Sequence, residues 1–347
     1  SPERLQYSLD AGTTWIDAAS YTVTKEVVNT VSFRVIDAAG NSSTPQNIVV
    51  QIDKTKPETA EITAKGNSFK SFINTITFGL FYDNTVDVTI NSGDSLSGIK
   101  SVEYQKVSSE AAYNETGSWT TGNSFSVAPD EKFIVYARLT DNAGNVTIIN
   151  TNGIVTDNSN PTLSLSDVSG WKKADVTVQV TAGDNLAGIK EVTYATDETV
   201  PQTGSVTLTD GKGSFVLSKE GQYKVTVTAK DNSGNTFTQT ADIKLDKTVP
   251  TILVTGVPTE WKPEAVLQLQ ATAGVSGIKS ITVNGTDITS TYANGYKITQ
   301  SGTYAFTVTG NSGLTAAQTV TVNTVDSTKP NNAVIAGKEN YTSAKWY

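Results

Sequence analysis

The chain has 347 residues, with 26 Lys and Arg against 34 Asp and Glu, and a formal net charge of −8. That balance argues against nucleic acid and anionic lipid as main partners, since both need clustered positive charge, and no apolar run approaches the roughly 18 residues of a membrane-spanning helix. With no Cys and no His, disulfides, thiol chemistry, Cys-ligated metals, the usual general base and the usual pH switch fall away together. The 37% hydrophobic content is enough to bury cores, and at about 150 residues per domain the length suggests two or three domains, more if they are small.

The sequence opens at Ser1 with neither an initiator Met nor a signal-peptide pattern and ends without a sorting signal, so it reads as a piece of something longer. Residues 1–53 then carry only the second half of a repeating unit. Val31, Phe33 and Val35 alternate on a strand, an Asp37-Ala-Ala-Gly-Asn41 turn follows, and the segment ends at a junction, Asp53-Lys-Thr-Lys-Pro57. Residues 54–157 are a complete unit. They contain Phe81, a Gly98-Ile99-Lys100 step, the alternating Phe133, Val135, Ala137 and Leu139, the turn Asp141 to Asn145, and the junction Asp157 to Pro161. Residues 158–246 repeat these landmarks with Trp171, Gly188-Ile189-Lys190, Tyr223, Val225, Val227 and Ala229, the turn Asp231 to Asn235, and the junction Asp246 to Pro250. Residues 247–326 form a shorter unit with Trp261, Gly277-Ile278-Lys279, Tyr304, Phe306 and Val308, a degenerate turn Gly310 to Leu314, and the junction Asp326 to Pro330. Residues 327–347, with Trp346, begin a further unit.

The spacings are regular: turn glycine to junction proline is 17, 17, 16 and 17 residues, and junction prolines lie 104, 89 and 80 apart. The longest interval reflects about 14 extra residues between the first two strands of the second unit. There Phe69, Phe72, Ile73 and Ile76 fall at i, i+3, i+4 and i+7, which predicts a short helix over residues 68–76, within an inserted segment near 65–80, capping the end of that core.

About seven short alternating strands in roughly 90 residues, divided by Gly, Asn and Asp turns, predict an all-β fold: tandem immunoglobulin-like β-sandwich domains in a linear array, with partial units at both ends. Without a disulfide, each core must be closed by aromatic and aliphatic packing, expected around Trp171 and Trp261. Tyr223 and Tyr304 stand where a tyrosine corner would. The Gly-Ile-Lys step, the Asp-Asn-x-Gly-Asn turn and the Asp-Lys-Thr-x-Pro junction together resemble the bacterial immunoglobulin-like repeats of Gram-positive surface and secreted proteins. That resemblance implies an extracellular stalk or spacer in a large, adhesin-like bacterial cell-surface protein. The partners it implies are neighbouring domains of the same chain and a host or cell-wall glycan or protein.

Several residues invite a sharper reading. Ser8, Asp10, Gly12 and Trp15 match S-x-D-x-G-x-x-W, the Asp-box of sialidases and other propellers, but a single copy reads as a hairpin. The turn and junction residues Asp141, Asn145, Asp157, Asp231, Asn235 and Asp246 offer carboxylate and amide oxygens, the ligand type of Ca²⁺, with each junction acid following its turn by about 16 residues. The competing reading is that each turn Asp caps its own backbone. Lys54, Lys247, Lys100, Lys190 and Lys279 are candidates for a Lys–Asn isopeptide crosslink, yet the Gly-Ile-Lys lysines follow an inward Ile and are expected to face water. Five tryptophans suggest a sugar platform, but Trp171, Trp261 and Trp346 share one repeat position, as core packing would produce. No catalytic constellation emerges. Two alternatives to the stalk stay open: an accessory module of a large secreted carbohydrate-active enzyme, and a subunit of an extracellular filament or lattice.

Overall fold

The computed structural model describes residues 3–330. The expected opening strand of a further unit and Trp346 lie outside the described residues. The fold is built almost wholly of strands, because Thr- and Val-rich alternation favours a pleated, half-buried surface.

In the N-terminal segment β1 (Arg4–Ser8), β2 (Ile16–Asp17), β3 (Val28–Ile36) and β4 (Gln46–Gln51) form one antiparallel sheet in the order β2-β1-β3-β4. The Ser8–Trp15 motif is the hairpin between β1 and β2. Asp10 accepts the Thr14 N–H at 2.8 Å, Ser8 Oγ accepts the Gly12 N–H at 2.8 Å, and the Trp15 ring lies 4.1 Å from the Arg34 guanidinium.

The second segment holds β5 (Thr59–Ala64), β6 (Asn67–Phe69), β7 (Phe78–Tyr82), β8 (Val86–Gly93), β9 (Ile99–Val107), β10 (Thr120–Thr121), β11 (Ser124–Val127), β12 (Glu131–Asp141), β13 (Val146–Asn150) and β14 (Gly153–Thr156). They make two sheets, β11-β8-β5-β6 and β10-β9-β12-β14-β7, with β13 also paired to β12. Between them Ile62, Val86, Val88 and Ile90 meet Phe133, Val135, Ala137, Leu139, Ile149 and Ile154 in one core.

The helix expected over residues 68–76 is absent. Residues 67–69 are strand β6, reached through a hairpin turn at Lys65 (φ 45) and Gly66 (φ 82), and a non-helical loop leads on to β7. The apolar spacing is helical by coincidence, because these side chains serve two different places. Phe69 packs on the inter-sheet core, while Phe72 lies 6.0 Å from Tyr136 and 6.4 Å from Tyr113 on the opposite face of the larger sheet. So the insertion covers the outer face of that sheet and not the end of the core. Ile134 and Tyr136, which alternation would send to water, are thereby buried. Arg138, on the same face, pairs with Glu103 at 3.0 Å and lies 4.4 Å from the Trp119 ring.

The third segment has β15 (Thr162–Leu165), β16 (Val176–Gly183), β17 (Ile189–Thr196), β18 (Thr203–Ser205), β19 (Lys212–Leu217), β20 (Gly221–Asp231) and β21 (Thr236–Leu245), in sheets β15-β16-β19 and β18-β17-β20-β21. The fourth has β22 (Thr251–Thr255), β23 (Ala265–Thr272), β24 (Ile278–Val283), β25 (Thr286–Asp287), β26 (Tyr296–Ile298), β27 (Gln300–Gly310) and β28 (Thr315–Asp326), in sheets β22-β23-β26 and β25-β24-β27-β28. Its core joins Val254, Leu267 and Leu269 to Ile281, Phe306, Val308 and Val322.

The rings that close the cores are not the tryptophans. Trp261 is 70% exposed and Trp171 only half-buried, so one repeat position does not impose one environment. Tyrosine–phenylalanine stacks do the work: Tyr104 on Phe125 at 4.2 Å and Tyr194 on Phe215 at 4.0 Å, each pair drawn from two different sheets. In the fourth segment Tyr296 meets Phe306 edge-on at 5.8 Å. Tyr223 and Tyr304 do form corners. Their hydroxyls donate to the carbonyls of Lys219 (3.1 Å) and Gln300 (2.8 Å), four residues earlier.

Candidate functional site

The junction acids open turns. Asp53 Oδ1 accepts the Thr55 N–H at 2.9 Å, Asp157 Oδ1 the Ser159 N–H at 3.0 Å, and Asp246 Oδ1 the Thr248 N–H at 3.0 Å. The second carboxylate oxygen of each reaches the loop before the next Gly-Ile-Lys step. It accepts the N–H of Ser97 (3.1 Å), Ala187 (3.0 Å) and Ser276 (2.9 Å) respectively. One carboxylate therefore ties the junction to the unit that follows it.

The turn residues complete the arrangement. Asn145 Nδ2 donates to Asp141 Oδ2 (2.8 Å) and to the carbonyls of Asp53 (3.2 Å) and Thr55 (3.1 Å). Asn235 Nδ2 likewise donates to Asp231 Oδ2 (2.9 Å) and to the Asp157 carbonyl (2.8 Å). Each turn thus meets the junction that precedes its unit, whereas the sequence spacing suggested the one that follows.

Two carboxylate triads result: Asp53, Asp94 and Asp141, and Asp157, Asp184 and Asp231, each with one carboxylate oxygen per residue lying within 4.8 Å of the others. Of the six residues singled out in the sequence, Asp141 and Asn145 belong to the first cluster and Asp157, Asp231 and Asn235 to the second. Asp94 and Asp184 were missed. Their signal was available: each stands four residues before the glycine of its Gly-Ile-Lys step. Asp94 Oδ1 accepts the Gly98 N–H at 2.8 Å and Asp184 Oδ1 the Gly188 N–H at 2.8 Å. The other Asp94 oxygen, Oδ2, is buried with no hydrogen-bond partner.

Asp246 has no such company. Gly310 occupies the turn-acid position, and the loop facing Asp246 carries Ala273 and Gly274. A Cβ on Gly274 would fall 2.1 Å from Asp246 Oδ1, so the carboxylate fills the space that a side chain there would need.

Burial pushes the Asp141 carboxyl up, but the side chain and backbone N–H of Asn145, with the Gly144 and Ala143 N–H groups, hold it below its ordinary value. Asp246 follows the same pattern: burial is outweighed by hydrogen bonds from Ser276 and Thr248. Three negative groups in one site favour a hard cation with oxygen ligands. The lysines named for crosslinking do not join them. Lys54, Lys100, Lys190 and Lys279 are exposed, and Lys247 pairs with Asp175 at 2.9 Å.

Residues 82–158 match the family model of the bacterial Ig-like domain. Among solved structures, this chain is similar to a tetra-tandem repeat from the extending region of a large adhesion protein, at 17% identity over 93% of this chain and 92% of that one, with a TM-score of 0.37. It is also similar to the fibronectin(III)-like modules of Clostridium thermocellum CbhA, at 15% identity over 53% and 94% of the two chains, with a TM-score of 0.27. The comparison with curated proteins gives no match.

Proposed function

We propose that this chain is a load-bearing spacer: a string of Ig-like modules that holds a functional part of a bacterial surface protein away from the cell, outside it, and without catalysis of its own. The observation that carries this reading is the recurrence of one junction. The same Asp-to-loop hydrogen bond appears at Asp53, Asp157 and Asp246. What repeats is the means of connection, as a spacer requires and a binding module does not.

Small-angle scattering tests it. At about 35–40 Å per module from strand length, an extended string of this size has a radius of gyration of roughly 40 Å, against about 20 Å for a globular 347-residue chain. A value near the lower figure, or hydrolytic turnover traced to this chain, would defeat the proposal.

A second reading concerns the two triads. We propose that each binds Ca²⁺, supported by the buried, unpartnered Asp94 Oδ2 and by the approach of three carboxylate oxygens within 4.8 Å in each triad. Asp53, Asp94 and Asp141, and likewise Asp157, Asp184 and Asp231, would supply carboxylate oxygens. The ion would relieve the mutual repulsion of three like charges.

A further inference from the structure

In the second module β5 and β6 come first, and the strand that follows the insertion, β7, lies beside the last strand, β14. β7 pairs with β14 in parallel, with Phe78 opposite Gly153 and Leu80, Phe81 and Tyr82 opposite Ile154, Val155 and Thr156. Backbone bonds close both ends: the Gly153 N–H donates to the Thr77 carbonyl at 3.1 Å and the Asp157 N–H to the Tyr82 carbonyl at 2.8 Å. Side chains extend the seam. Thr77 N–H donates to Asn152 Oδ1 (2.7 Å), Asn152 Nδ2 donates to Thr77 Oγ1 (2.9 Å), and buried Asn150 bonds both the N–H and the carbonyl of Ile73. Gly153 is needed here, because a Cβ would sit 2.6 Å from the Phe78 ring.

Among the described residues, the third and fourth modules each show one isolated parallel bridge at the corresponding place. A single parallel bridge joins Lys172 to Leu245, held by Lys172 N–H to Lys244 O (2.8 Å) and Asp246 N–H to Lys172 O (3.0 Å). Another joins Lys262 to Val325, held by Lys262 N–H to Thr324 O (2.9 Å) and Asp326 N–H to Lys262 O (3.1 Å).

Tension from the N-terminal side reaches the seam once β5 and β6 are drawn off their antiparallel partners, and the parallel β7 and β14 are then pulled in opposite directions along their own axes. Every bond of the seam then shares the load and all must break together, unlike a hairpin, which unzips one bond at a time. We propose that the inserted segment of the second module is a mechanical clamp, and that the modules yield to tension in a fixed order, with the third and fourth opening first and the second last. This rests on the load-bearing reading and adds a hierarchy to it.

Single-molecule extension of the whole chain between terminal handles tests the proposal. Junction spacings of 104, 89 and 80 residues label the complete modules by length. At up to about 3.6 Å per residue less the folded length, the steps are roughly 330, 280 and 250 Å. The longest step is expected last and at the highest force. Asn152→Ala should lower the force of that step alone while leaving the denaturant midpoint of the module little changed. Steps of equal force, or the longest step first, overturn the clamp and leave the spacer standing. Extension without discrete steps overturns both. Should Asn152→Ala fail to fold, the order of steps in the unaltered chain decides the question.

Discussion

Asn145 reaches back 92 residues in the chain to donate its Nδ2 to the carbonyl of Asp53 at 3.2 Å, while the same amide holds Asp141 Oδ2 at 2.8 Å. One side chain therefore satisfies a buried carboxylate and two junction carbonyls. Leu314 stands at the corresponding place in the fourth module and can do neither.

Asn145→Ala is expected to destabilise the second module by about 1–3 kcal/mol, the cost of leaving a buried acceptor without its donor. Denaturant unfolding should show a lower midpoint for one transition with an unchanged slope. The substitution Leu314→Ala, which removes no hydrogen bond, should show no comparable polar penalty.

Calcium should act on some modules and not on others. Its addition is expected to raise the melting transitions of the second and third modules, by about 2.7 kcal/mol at a hundredfold excess over the dissociation constant. The fourth, with Asp246 alone, should not respond. Asp94→Asn and Asp184→Asn should each abolish the response of their own module. Equal melting with calcium and with chelator in all three modules would dispose of the metal reading.

Acid should weaken the fourth module. Because the Asp246 carboxyl sits below its ordinary value in the folded state, its contribution is complete above the unfolded value of about 3.9 and is lost as pH falls through the folded value. The melting midpoint of that transition should hold from neutrality to about pH 5 and fall below about pH 4. Asp246→Asn should flatten this dependence, and a midpoint that rises on acidification would contradict the assignment.

Gly204 lies against the ring that joins the two sheets of the third module. A Cβ there would come within 2.8 Å of Tyr194, whose other face stacks on Phe215. Gly204→Ala should therefore cost about 1–3 kcal/mol through overpacking. The substitution Gly234→Ala, at a turn with open space around it, costs only backbone strain at φ 106. Comparing the two by thermal melting separates crowding from conformational freedom.

Much of this was legible in the sequence. Strict alternation at Tyr223, Val225, Val227 and Ala229 specifies a strand with one buried face. What alternation cannot convey is which second surface a side chain meets. Tyr136 lies on the nominally wet face and is buried, because Phe72 and Tyr113 arrive from separate segments to cover it. The same limit explains the residues 68–76 error: periodicity assumes one continuous apolar neighbour, and here there were two. The acid triads were half visible. Spacing along the chain linked each turn to the nearer junction, whereas folding returns the turn to the head of its own module, where Asp94 and Asp184 wait.

The stacked pairs Tyr104–Phe125 and Tyr194–Phe215 bind sheet to sheet through contact alone. No covalent bond need be broken for such a module to be drawn out, and none need be remade for it to close. Closing such a module again calls for no oxidant, because its two sheets are joined by ring contact and not by a disulfide.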